Sequence, residues 1–141
     1  MDIKKLFIGG IVGGILFFLL GWLIYGNLLL NFMHDNPGPA GNLDRTDKDM
    51  EFLYIAIGSL LQGFLIAYIF VKANVSSVGS GFITGGVVGL LMTAGIDCIM
   101  YGTSTILSKK MMAADVAAAT VMAAVIGAIV GLVMNVGKKT S

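Results

Sequence analysis

The sequence has little of the charge that a water-soluble domain carries on its surface. Only 12% of its 141 residues are charged, whereas 57% are hydrophobic and the mean hydropathy is +0.91. Soluble domains carry about 25% charged residues, so this chain could not cover a globule with polar surface. A net charge of +1 also provides no basic face for nucleic acid. We therefore expect the lipid bilayer as its surroundings and no nucleic-acid partner.

The sequence also lacks the motifs of common catalytic and metal sites. One cysteine, Cys98, excludes an intrachain disulfide. One histidine, His34, falls short of the ligand set of a zinc site. The chain has no phosphate-binding loop, no metalloprotease helix motif and no nucleophile elbow. We therefore expect no enzyme, no cofactor and no metal site.

Long hydrophobic runs dominate the sequence. About 20 apolar residues in a helix cross a hydrocarbon core of about 30 Å, and the period-2 alternation of strands is absent. The predicted fold is an all-α membrane protein with four transmembrane helices in a single integral membrane domain. The predicted spans are residues 6–33, 52–71, 82–107 and 116–136, with a polar loop over 34–51.

The two halves of the chain resemble each other. Aligning GGIVG at Gly9 with GGVVG at Gly85 brings Tyr25 onto Tyr101 without a gap. This match predicts two duplicated helical hairpins arranged as a parallel repeat.

Basic residues give a weak orientation signal. With the N-terminus inside, five positive residues lie inside (Lys4, Lys5, Lys72, Lys138, Lys139) and four outside (Arg45, Lys48, Lys109, Lys110). The first run is longer than a signal-peptide core, so we interpret it as an uncleaved span. We expect a multi-pass protein of a bacterial inner membrane with both termini cytoplasmic.

Glycines follow helical spacing along the predicted spans. Small residues let helix backbones approach closely, which drives association in lipid. Spans one and three should therefore pack through their glycine faces, either on each other or on their own repeats. The predicted packing residues are Gly10, Gly13, Gly14, Gly21, Gly86, Gly89, Gly127 and Gly131.

Asp97 is an acidic residue inside the third apolar run. It shares a helical face with Gly89, so we expect it on the packed side of the helix. One hypothesis is a small polar cavity that binds a cation, a proton or a polar ligand. The other is a packing lock, in which Asp97 is hydrogen-bonded to one hydroxyl or amide and reaches up toward water. The candidate cavity residues are Asp97, Thr93, Tyr101, Ser59, Gln62, Thr120, Asn27, Asn31 and His34.

Four other acidic residues precede predicted helices. Asp47, Asp49 and Glu51 come before the second span, and Asp115 comes immediately before the fourth. Acids at these positions cap free N–H groups and complement the helix dipole. We therefore expect a structural role for them.

A short motif resembles one known family. The first span ends in GWLIYG, from Gly21 to Gly26, and MYG at Met100 echoes it. With four spans and a polar first loop, the chain resembles the small bacterial membrane proteins of the domain-of-unknown-function 1761 family. Ile24 stands where that family has a tryptophan. The resemblance implies an integral membrane protein of unassigned function and no catalytic residue.

Two functions fit these features. The first is a structural or accessory membrane subunit that packs on a membrane-protein partner through its glycine faces. The alternative is a minimal transporter or channel that acts as a homo-oligomer, with Asp97 contacting the ion or proton.

Overall fold

The computed structural model describes residues 1–136 and is all-helical over that range. Helix α1 covers Ile3–Leu23 and continues as a π-helical segment over Ile24–Leu28, followed by the short α2 at Leu30–Asp35. The longer helices are α3 at Phe52–Lys72, α4 at Val78–Thr103 and α5 at Lys109–Asn135. The predicted all-α fold is confirmed for the described residues.

Serine caps begin the last two helices earlier than predicted. The Ser77 side chain accepts a bond from Ser80 N, and the Ser108 side chain accepts one from Met111 N. Each serine thus satisfies an N–H that would otherwise be free. Helix α4 begins at residue 78 rather than 82 and ends at 103 rather than 107, while α5 begins at 109 rather than 116.

Four helices are long and apolar enough to cross a membrane. They comprise residues 3–28, 52–72, 78–103 and 109–135. Large apolar side chains on their outer faces are exposed, such as Leu61, Ile83 and Ile99, each 66–68% exposed. These features are those of an integral multi-pass membrane protein.

The long helices form a row in the order α3, α1, α5, α4. Helix α1 packs against α3 and α5, and α5 packs against α1 and α4. The fully buried side chains of Phe70 on α3 and of Ile126 and Val130 on α5 belong to one hydrophobic core that also includes Phe17 of α1. Helices α1 and α5 are therefore central, whereas α3 and α4 lie at the flanks.

Glycines provide the closest contact between α1 and α3. A Cβ added at Gly63 would overlap backbone atoms of Gly10, Gly13 and Gly14, and one at Gly14 would lie 2.8 Å from Leu60 Cα. The two backbones touch with no side chain between them, as expected for helices that associate in lipid.

A second glycine contact joins α4 to α5. Gly85 faces Ala123 and Gly127, and the Gly131 position overlaps the Ser77 carbonyl. Added Cβ atoms at Gly86 and Gly89 would lie 3.3 Å and 2.5 Å from the Cβ atoms of Ala124 and Ala123. Each glycine face therefore packs inside its own hairpin, which was one of the two predicted arrangements.

Gly21 does not contribute to this packing, so that prediction was wrong. No atom lies within 4 Å of the position that its Cβ would take. Gly21 lies two turns beyond Gly14, about 10 Å further along α1. Helices that cross at an angle separate away from the crossing point, and the α1 crossing is centred on Gly13.

The duplication stays a prediction. Gly63 meets residues 10, 13 and 14 of the first hairpin, whereas Gly127 meets residues 81 and 85 of the second. In the sequence alignment, Gly81 and Gly85 correspond to Lys5 and Gly9, so the two crossings differ by about one turn. The orientation with both termini cytoplasmic also stays a prediction. Two of the lysines on which it depends, Lys138 and Lys139, lie outside the described residues.

The polar loop folds over the turn between α4 and α5. Ala40 N donates to the Thr105 carbonyl at 2.9 Å, and Ser108 Oγ donates to the Asn36 carbonyl at 2.6 Å. Gly38 is buried against the Ile106 carbonyl, where a Cβ would overlap. We call this end of the bundle the loop end, and the end with Lys5 and Lys72 the N-terminal end.

Candidate functional site

Asp97 lies on the packed side of α4, as predicted, and its residue surface is only 4% exposed. Its Oδ2 atom is buried and accepts no hydrogen bond from the described residues. An unsatisfied carboxylate at this depth costs several kcal/mol unless something compensates for it. The packing-lock hypothesis required a hydroxyl or amide donor, and the structure provides none at Oδ2.

Asp115 of α5 is the nearest acidic neighbour of Asp97, and the two carboxyl groups are within hydrogen-bonding reach. Asp97 lies six residues before the end of α4 at Thr103, and Asp115 lies six residues after the start of α5 at Lys109. In an antiparallel hairpin these positions fall at one level, about 9 Å below the helix ends. The hairpin therefore places two acidic groups side by side within the spans.

Tyr25 completes this group from α1. Its hydroxyl donates a hydrogen bond to Asp115 Oδ1. Tyr25 belongs to the π-helical segment, whose wider turn is closed by a bond of 2.8 Å from Leu29 N to Ile24 O. Segments of this kind are frequent at functional sites. We call Asp97, Asp115 and Tyr25 the acidic triad.

Within residues 1–136, no ion pair joins a basic side chain to the acidic triad. Helix α3 has no acidic or basic residue between Glu51 and Lys72, and α4 has only Asp97. The nearest lysines along α5, Lys109 and Lys110, are exposed at its first turn. Carboxylates in a membrane are normally paired with a cation, or they serve a function.

Asp115 does not cap a helix, so that prediction was wrong. Ser108 caps α5, which places Asp115 in the second turn of the helix. The error came from starting the span at its first long apolar stretch, although the Ser108 cap signal was present in the sequence. Glu51 is the residue before α3, but its side chain makes no capping bond.

Three predicted cavity residues lie on the helices that carry Asp97 and Asp115. Thr93 is half-buried one turn from Asp97. Thr120 Oγ1 donates to the Val116 carbonyl of its own helix at 2.6 Å. Tyr101 is 41% exposed and lines a cavity at the loop end.

The other predicted cavity residues are not gathered around Asp97. Ser59 is buried and Gln62 is exposed on α3, which packs mainly on α1 rather than on α4. Asn27 is exposed and donates to the Trp22 carbonyl at 3.0 Å, and Asn31 is exposed on α2. His34 is exposed and pairs with Asp44 at 3.7 Å.

The loop end contains a cavity of about 650 Å³. Its lining includes Tyr101 and Ser104 of the α4 end, and Ser108 and Lys109 of the α5 start. Tyr101 and Ser104 are one and two turns from Asp97 on the same helical face. The cavity therefore lies nearer the loop end than Asp97 and Asp115, at the ends of the two helices that carry them.

No family model matches the chain, and neither a curated protein nor a solved structure matches it. The resemblance of the Gly21–Gly26 stretch to the domain-of-unknown-function 1761 family therefore stays a prediction.

Proposed function

We propose that the protein is a minimal membrane transporter or channel component that acts as a homo-oligomer and binds a proton or small cation at the acidic triad. The observation that carries this proposal is the buried, unbonded Asp97 Oδ2 next to Asp115. Two neighbouring carboxyl groups resist simultaneous ionisation. A proton or small cation bound between the two carboxyl groups removes the energetic cost of their repulsion.

An oligomer is part of the proposal because four helices in a row do not surround a path. Helices α3 and α4 lie at the flanks and touch only in places. Helix α4 also carries Gly95 and Gly102, which have no atom within 4 Å of their Cβ positions. Further copies would supply the helices that a translocation path needs.

The accessory-subunit function remains a second candidate, but its main support is weaker. It relied on glycine faces free to pack on a partner. Gly13, Gly63, Gly85 and Gly127 instead pack within the chain, and open positions such as Gly95 and Gly102 would suit a second copy as well as a different partner. The transporter function is favoured because it explains an acidic pair for which the described part of the chain provides no basic partner.

Charge displacement on a solid-supported membrane tests the proposal. Liposomes containing the wild-type protein are exposed to rapid steps in proton, sodium or potassium concentration, with protein-free liposomes as the baseline. We expect a transient current for at least one of these ions and its loss in Asp115→Asn. Currents equal to those of protein-free liposomes for all three ions would refute the proposal.

A further inference from the structure

We infer that the ion taken up is one proton, shared between Asp97 and Asp115. We also infer that the hydrogen bond from the Tyr25 hydroxyl slows the exchange of this proton with water. This inference rests on the proposed function, because it names the ion that the same site binds. It also assigns separate roles to the three side chains.

The available ligands favour a proton over a metal ion. The acidic triad offers two carboxyl groups and one phenol, and no cluster of three or more His, Cys, Asp or Glu residues occurs among the described residues. Calcium needs six to eight oxygen ligands, and magnesium needs six at strict octahedral positions. A proton needs only two oxygens.

The charge of the site changes in a simple way. Without a proton the pair carries two negative charges, and with one proton it carries a single charge. Uptake forms an O–H bond on Asp97 with a proton delivered by hydronium, which leaves as water. The new hydroxyl group can donate to Asp115, and release breaks the same O–H bond back to water.

The other charged groups of the surrounding helices lie at the helix ends, Lys4 and Lys5 on α1 and Lys109 and Lys110 on α5. Tyr25 faces the pair from α1, Asp115 belongs to α5, and Asp97 is the only charged residue of α4. Helix α3 has none between Glu51 and Lys72, which lies at the N-terminal end. The proton therefore exchanges between the two carboxyl groups and water. We infer that this water enters from the loop-end cavity, whose lining residue Tyr101 is one turn from Asp97.

Tyr25 is positioned to control this exchange. Its hydroxyl donates to Asp115, which fixes that carboxylate as the acceptor and leaves Asp97 as the group that carries the proton. The π-helical segment holds the ring at the end of α1. Movement of this segment would take the Tyr25 hydroxyl away from Asp115 and let water reach the two carboxyl groups. Tyr25 is thus a positioning residue that acts through Asp115.

Infrared spectroscopy of the protein in liposomes tests this assignment, with circular dichroism as a check on folding. The wild type should show one protonated-carboxyl band at neutral pH, and the band should shift in D₂O. Asp97→Asn should lose the band, whereas Asp47→Asn, a change in the exposed loop, should retain it. Asp115→Asn should shift the band, because the proton loses its carboxylate acceptor, and this readout remains if Asp97→Asn fails to fold.

The role of Tyr25 has its own readout. Tyr25→Phe should retain the band but exchange it with D₂O at least ten times faster than the wild type. Tyr54→Phe, at a residue that is 68% exposed on α3, is the matched control and should exchange at the wild-type rate. Equal rates in Tyr25→Phe and the wild type would overturn the gating role.

The infrared and current measurements separate the two proposals. No carboxyl band, together with currents driven by sodium or potassium, would overturn the proton assignment and leave the transport proposal standing. A carboxyl band without any current would overturn the transport proposal and leave the shared proton. A wild-type band that persists unchanged in Asp97→Asn would also overturn the inference.

Discussion

The Tyr25 hydroxyl donates a hydrogen bond to the Asp115 carboxylate, across 90 residues of sequence. This bond ties α1 of the first hairpin to α5 of the second. It also occupies one acceptor of an acidic pair whose other member, Asp97, has a buried oxygen without a donor. The contact between the hairpins and the candidate ion site therefore share two residues, Tyr25 and Asp115.

Tyr25→Phe should weaken the contact between the two hairpins. Interhelical hydrogen bonds in membranes contribute about 0.6–1.7 kcal/mol, and we expect a loss of about that size in the free energy of unfolding. Reversible unfolding in mixed micelles measures it. Tyr54→Phe, at an exposed position, should change stability by less than about 0.5 kcal/mol. Equal losses in the two variants would show that the Tyr25 bond contributes nothing.

Asp97→Asn should leave stability unchanged or raise it by about 1–2 kcal/mol. A buried acid without a full set of partners destabilises a fold, and a neutral group of the same shape relieves that cost. The same unfolding assay measures this change. A loss of more than about 2 kcal/mol would instead support the packing-lock hypothesis for Asp97.

The glycine contacts predict that alanine substitutions at two glycines of α3 have very different effects on stability. Gly63→Ala places a methyl group against the α1 backbone, and we expect a loss of about 2 kcal/mol or more because two backbones must separate. Gly58→Ala has open space around its Cβ, so it should be neutral or stabilise by about 0.5–1 kcal/mol. Unfolding curves of both variants check this prediction, which fails if the two behave alike.

Substitutions of the two capping serines distinguish the effect of helix capping from the effect of loop docking. Ser77→Ala and Ser108→Ala each remove a capping bond of 3.1 Å, but only Ser108 also donates to the Asn36 carbonyl. Each should cost about 1 kcal/mol through the lost cap. Only Ser108→Ala should also speed hydrogen exchange of the Ala40 amide, which bonds to Thr105. Faster exchange of that amide in Ser77→Ala would contradict this assignment.

The sequence predicted the membrane helices well because apolar length is a direct signal. It also placed Asp97 on the packed face, since the helical spacing to Gly89 fixes that side. The partners of Asp97 were missed because pairing depends on the level of each residue in the hairpin. The start of α5 sets that level, and it lies at the Ser108 cap rather than at the apolar run that follows Asp115.

The order of the helices could not be predicted from these patterns. Glycine spacing identified faces that pack but did not specify which helix each face meets. Ser59 and Gln62 were assigned to the site on the assumption that α3 lies next to α4. The row arrangement places α3 against α1 instead, because Gly63 fits the glycine face of α1.

The central claim is that Asp97 serves ion binding rather than packing, and the most direct test is a proton step on a solid-supported membrane. Wild type, Asp97→Asn and the loop variant Asp47→Asn are compared at equal protein density. The account predicts equal currents for the wild type and Asp47→Asn, and less than a tenth of that current for Asp97→Asn. A current in Asp97→Asn that equals the wild-type current would contradict it.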